Sequence, residues 1–211
     1  MEASSASAPL SPHIEPEPRG WQPRAVWVAV RLWVGSVSFF FIAFVFAYFY
    51  LRSLDTNNGW KIGAVNPSIG LGLGIAALFA LSAIVFRLGA TRPTDTVGAG
   101  IAAIAMALAG IVLQFIEYTQ LAFGAASGGY ASVFFGWTAT YAIFAVGCVY
   151  WMETQVASVW RARREGLKRP VREGVPADDL TLMRAGLDAC SFFWAYYAAV
   201  GLAAFIILYL V

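Results

Sequence analysis

Residues 97–123 read VGAGIAAIAMALAGIVLQFIEYTQLAF, an apolar run broken by a single charge, Glu117. At about 1.5 Å of rise per residue such a run crosses a hydrocarbon core roughly 30 Å thick. Working outward from it, the chain supplies four more runs of that kind, at 32–51, 67–86, 131–152 and 185–211. The apolar residues are continuous rather than alternating, which rejects a β-barrel and predicts an all-α membrane protein with five transmembrane helices. Composition agrees: 60% of residues are hydrophobic and 12% charged, where soluble domains average roughly a quarter charged.

Residues 1–24 hold mostly small residues and prolines, too little apolar area to fold alone, and are expected to form a disordered tail. The transmembrane domain is expected over 25–211, with a basic loop at 153–184. No short basic segment with a small-residue cleavage site precedes the first run, so 32–51 reads as a retained span. Five spans place Arg19, Arg24, Arg31, Arg87, Arg92, Arg161, Arg163, Arg164, Lys168, Arg169, Arg172 and Arg184 on one side. Only Arg52 and Lys61 of the 14 basic residues fall on the other. The positive-inside rule then puts the N-terminus in the cytoplasm and the C-terminus outside. The cluster from Arg161 to Arg172 reads as an inner-leaflet anchor and not as a nucleic-acid patch.

The single histidine, His13, lies in the tail. Haem or copper held at membrane depth calls for imidazole ligands there, so no metal or redox cofactor is expected on this chain. Cys148 and Cys190 read as small apolar residues near the cytoplasmic ends of their spans.

Charge inside a span costs several kcal/mol unless paired or hydrated, which singles out Glu117. Gln114 shares its helix face at i, i+3 spacing, and Tyr118 adjoins it. With the span ending at Phe123, Glu117 is expected about 9 Å below that end. The residue reads as a packing carboxylate, a proton relay, or a contact to a partner or lipid. Asp188 is expected to pair with Arg184 at i, i+4, and Ser36, Ser38 and Ser82 to bond helix carbonyls or a neighbouring helix. No serine has a base nearby in sequence, so no catalytic residue is assigned. Gly70 and Gly74 are read as close helix packing, not as a nucleotide loop, because no βαβ context surrounds them. Gly98 and Gly100 are read in the same way. Asn66 before Pro67 is the expected cap of the second helix. Trp27, Trp33, Tyr48, Tyr50, Trp60, Trp151, Trp160 and Tyr209 are expected in the interfacial belts.

Three stretches resemble subunit III of the cytochrome c and quinol oxidases, the haem-copper family, in its five-helix form. Trp33, Ser36, Phe39 and Phe40 followed by Ala47-Tyr48-Phe49 and Arg52 resemble the first span of the family, with Val37 where the family carries a buried glutamate. Gln114, Glu117 and Tyr118, then Tyr130, Ser132, Phe134, Phe135, Thr138 and Gly147, resemble its Q-x-x-E-Y and Y-x-S-x-F-F-x-x-T, with Tyr141 and Phe144 replacing two histidines. Phe193-Trp194 through Tyr209-Leu210 is similar to its last span, with Ala195 and Ala198 replacing a histidine and an aspartate.

The resemblance implies a V-shaped pair of helix bundles with phospholipid bound in the cleft, in a bacterial plasma (inner) membrane. It further implies an accessory, non-catalytic subunit packed on catalytic subunit I and other respiratory-complex subunits, which hold the haem and copper. The accessory protein of a nitric oxide reductase is the alternative within the fold, and a small transporter or independent membrane enzyme the alternative outside it. Topology is directly testable. A reporter fused after Val211 is expected to be active outside the cytoplasm, and activity only in the cytoplasm contradicts the orientation.

Overall fold

The computed structural model describes residues 21–56, 59–61, 66–92, 95–166 and 177–211. The expected tail up to residue 20, and Lys168, Arg169 and Arg172, lie outside the described residues. Five α-helices account for almost all the rest: α1 Gln22–Ser53, α2 Ile69–Thr91, α3 Thr96–Gln120, α4 Gly129–Gly166 and α5 Ala177–Phe205, continued by a π-helical turn at Ile206–Leu210. Each of the five is long and apolar enough to span a membrane, and no strand occurs among the described residues.

The helix boundaries follow from local chemistry. Pro23 stands in the first turn of α1, which therefore begins at Gln22, inside the stretch assigned to the tail. Ser68, not Asn66, caps α2: its hydroxyl accepts the Leu71 N–H at 3.3 Å. Arg92 precedes Pro93 and takes extended backbone, φ −114° and ψ 99°, so α2 stops there. Thr96 is buried at the start of α3 and donates to the Gly89 and Arg92 carbonyls at 2.9 and 3.1 Å, tying that start to the end of α2. Helix α4 runs to Gly166 and α5 starts at Ala177, so much of the expected basic loop is helix. At 38 residues α4 is about 57 Å long, well beyond one bilayer core.

Helices α2, α3, α4 and α5 pack as a closed ring, each against the next and α5 back against α2, while α1 lies chiefly against α4 and α5. Chain direction alternates around the ring, giving an end that carries Glu117 and an opposite, basic end. One continuous apolar core draws residues from all five helices. In α3 the buried stripe is Gly100, Ala103, Ala107, Gly110, Ile111, Gln114 and Glu117, the spacing of a single helix face. These small residues let polar groups reach across helices: Ser82 donates to the Ala103 carbonyl at 2.7 Å and accepts from Trp194 Nε1 at 3.0 Å, joining α2, α3 and α5. Ser38 and the Tyr196 hydroxyl bond at 2.8 Å, joining α1 to α5.

Three expectations need correction. The close approach on α2 is at Gly72, whose missing Cβ would collide with the Tyr209 ring. Gly74 does face α3, 3.3 Å from Leu113 for an added Cβ, but Gly70 would meet only Ser68 of its own turn. Asp188 pairs across helices with Arg87, 4.0 Å away, and Arg87 also donates to Ser191 at 2.8 Å. Helical side chains lean toward the N-terminus, so an arginine four residues before an aspartate is poorly placed to meet it. Tyr48 is 0% exposed and Tyr209 9%, so both belong to the core and not to an interfacial belt.

Gly100 is buried where an added Cβ would collide with Val156 of α4, whereas Gly98 faces open space. Gly100→Ala is therefore expected to lose about 1–3 kcal/mol of stability in detergent unfolding. Gly98→Ala is expected to stay within about 0.5 kcal/mol of the parent chain or to exceed it. Equal behaviour of the two variants contradicts the packing.

Candidate functional site

The polar centre of the molecule is Glu117, 1% exposed although it lies one turn from the end of α3. That helix ends at Gln120, so Glu117 is about 4.5 Å below its end, half the expected depth. Gln114 and Glu117 share a face as the spacing predicts, and Gln114 Nε2 donates to Glu117 Oε2 at 2.9 Å. Tyr209 in the π turn donates to the same oxygen at 2.7 Å. Glu117 Oε1 has no hydrogen-bond partner among the described residues.

Around this pair the Glu117 end is laced together. The Tyr118 hydroxyl leaves α3 on another face and donates to Thr138 Oγ1 at 2.8 Å, and Thr138 donates to the Phe134 carbonyl at 2.7 Å. The last carbonyls of a helix have no partner within it. Here Tyr130 donates to the Leu208 carbonyl at 2.7 Å, and Arg52 to the Val211 carbonyl at 3.0 Å, so α4 and α1 close the end of α5. The π turn closes with Val211 N–H on the Ile206 carbonyl at 3.1 Å. Such turns are frequent at functional sites, and this one carries the tyrosine whose hydroxyl reaches Glu117.

Lys61, in the connection between α1 and α2, lies 5.4 Å from the Tyr130 ring centre. Burial, and then the nearby Arg52 charge, hold its ammonium pKa below the usual lysine value.

One space borders the carboxylate and a second borders its two donors. A cleft of about 130 Å³ at the helix ends is lined by Asn66, Ser68, Leu71, Gln120, Leu121, Ala122 and Glu117 itself. A cavity of about 30 Å³ lies on the ring axis, walled by residues of α2, α3, α4 and α5 that include Gln114, Thr138, Tyr141 and Tyr209. Trp137 lines it too, and its Nε1 is buried without a partner. Below, Tyr141 and Tyr197 stack at 4.3 Å and donate reciprocally to each other's backbone carbonyls. Those are the contacts made by Tyr141 where the resembled family would place a histidine.

Of the residues read from the sequence, Gln114 and Glu117 come together, Tyr118 turns instead to Thr138, and Ser36 and Asp188 do not join them. Ser36 is exposed and donates to its own helix at the Leu32 carbonyl, 3.1 Å away, and Asp188 lies at the basic end. Sequence reasoning missed Tyr209 and Tyr130 as partners. The tyrosine near the end of an apolar run carried only the signal of an interfacial residue. Cys148 and Cys190 are both buried and free. Among the described residues no three His, Cys, Asp or Glu side chains gather. No family model and no curated protein matches the chain in sequence.

Removing either donor leaves a buried carboxylate with a single hydrogen bond, which costs about 1–3 kcal/mol. Gln114→Leu and Tyr209→Phe are expected to lose that much in detergent unfolding. Thr119→Ala, at an exposed hydroxyl bonded to its own helix, is expected to change stability by less than about 0.5 kcal/mol. Loss of either donor without effect contradicts the site.

Proposed function

We propose that this chain is the accessory, non-catalytic subunit III of a haem-copper terminal oxidase in a bacterial plasma membrane. In that reading it packs on the catalytic subunit, with its N-terminus in the cytoplasm. The observation that supports it best is convergence. Gln114, Glu117, Tyr118, Tyr130 and Thr138, five of the polar residues of the second resembled stretch, each make a hydrogen bond at the Glu117 end of the bundle, while the sixth, Ser132, is exposed and bonds the nearby Ala125 and Gly128 carbonyls. Motif positions that recur together for a structural reason should cluster in this way.

The electron chemistry belongs, in this proposal, to the partner: residues 21–211 contain no histidine. What the chain offers is surface. Only 17% of the most apolar window of α1 is buried, and Phe39, Ile42 and Phe46 stand exposed along it. Such a face is at home against lipid tails or against the helices of another subunit. The two-bundle V is not carried into the proposal, because the five helices share a single core. Bound phospholipid remains part of it, and so does a role in stabilising the oxidase and the surroundings of its proton entry.

Mild detergent extraction followed by affinity capture of this chain is expected to bring down a haem-containing catalytic subunit that reduces oxygen. Deleting the chain should leave the haem spectrum in place and speed inactivation during turnover. Recovery of the chain alone, capture of a nitric-oxide-reducing complex, or an oxidase that endures equally without it contradicts the proposal.

A further inference from the structure

Glu117 is buried, both its donors sit on Oε2, and Oε1 is left without a partner. Buried polar atoms of folded proteins are almost always paired, and where protein offers nothing, water does. The cleft at the helix ends is lined by Glu117 itself. It has a volume of about 130 Å³, against roughly 30 Å³ per water in the liquid. Its rim is polar and exposed, with Asn66, Ser68 and Gln120, and Glu117 is the buried residue in its wall.

We propose that Glu117 is a proton-exchange group served by water in this cleft. A hydronium in the cleft gives its proton to Oε1 and leaves as water, and the reverse step returns the proton to the same side. On the Oε2 side both approaches are occupied by donors, the Gln114 amide and the Tyr209 hydroxyl, whereas Oε1 is unoccupied, so exchange runs at Oε1. The titratable groups coupled electrostatically to the carboxylate are Tyr209 in the π turn, Tyr130 on α4 and Tyr118 on α3 itself. Helix α2 contributes none, since residues 69–86 carry no charged, cysteine or tyrosine side chain. Phenols titrate near pH 10 or above, so Glu117 is the one carboxyl in this group. The proposal is independent of which complex the chain joins.

The test is infrared spectroscopy of the full chain in lipid nanodiscs, following the C=O stretch of a protonated carboxyl after a switch from H₂O to D₂O. The expected result is a band that changes with pH, is absent in Glu117→Gln, and shifts on deuteration. Ala122→Trp, which fills the rim of the cleft, should slow that shift at least tenfold, while Thr91→Trp at the basic end leaves the rate unchanged. Isotope-labelled glutamate narrows the band to the seven glutamates of the chain, and Glu117→Asp, which keeps the carboxyl and moves the band, assigns it even if Glu117→Gln fails to fold. A missing or non-titrating band, exchange at the parent rate in Ala122→Trp, or equal slowing by both tryptophans overturns the proposal.

Discussion

Inside a bilayer no solvent repairs a broken hydrogen bond, so every polar group must find its partner within the protein or in a water-filled space. In this chain that constraint falls hardest on the Glu117 carboxylate. It is met by a residue one turn earlier on the same helix and by a tyrosine 92 positions further along the chain. The second contact is the demanding one. It requires the end of α5 to sit against α2 and α3, with the last turn widened to π geometry and Gly72 leaving space for the incoming ring. The carbonyls freed at that end then recruit Tyr130 from α4 and Arg52 from α1, so one buried charge organises contacts to every helix at its end of the molecule.

Elsewhere the bundle is held by shape. Small residues on the inner face of α3 admit Phe79 against Gly110 and Val156 against Gly100, and the large aromatic side chains of α4 and α5 fill the axis. Lipid tails are as apolar as leucine, so burial alone gives little drive for helices to associate in a membrane. Close packing and inter-helix hydrogen bonds carry the association instead. The triad of Ser82, Ala103 and Trp194 is the mid-bundle case of that rule, with a hydroxyl acting as donor to one helix and acceptor from another.

How much of this was legible in the sequence follows from the range of each interaction. Helix number came from the length of the apolar runs, and the Gln114–Glu117 contact from i, i+3 spacing, because both are local. Boundaries slipped where capping chemistry competed, as at Asn66 and Ser68, or where amphipathic helix continued beyond the membrane-length run, as in α4. Partners from other helices stayed hidden. Nothing in the local sequence separates an interfacial tyrosine from one turned inward, so Tyr209 was assigned to the surface. Arg87 was likewise invisible as a rival to Arg184 for Asp188. Of the glycines, spacing alone marked Gly70 and Gly74, while the residue that mattered most, Gly72, lay between them.

The account rests on the claim that Glu117 and Tyr209 are energetically coupled across the bundle. A double-mutant cycle with Glu117→Leu, Tyr209→Phe and the combined variant, read by unfolding in detergent, measures that coupling directly. The account predicts a coupling energy of about 1–3 kcal/mol, the range of a hydrogen bond to a charged group. Additive effects, with a coupling near zero, would contradict it.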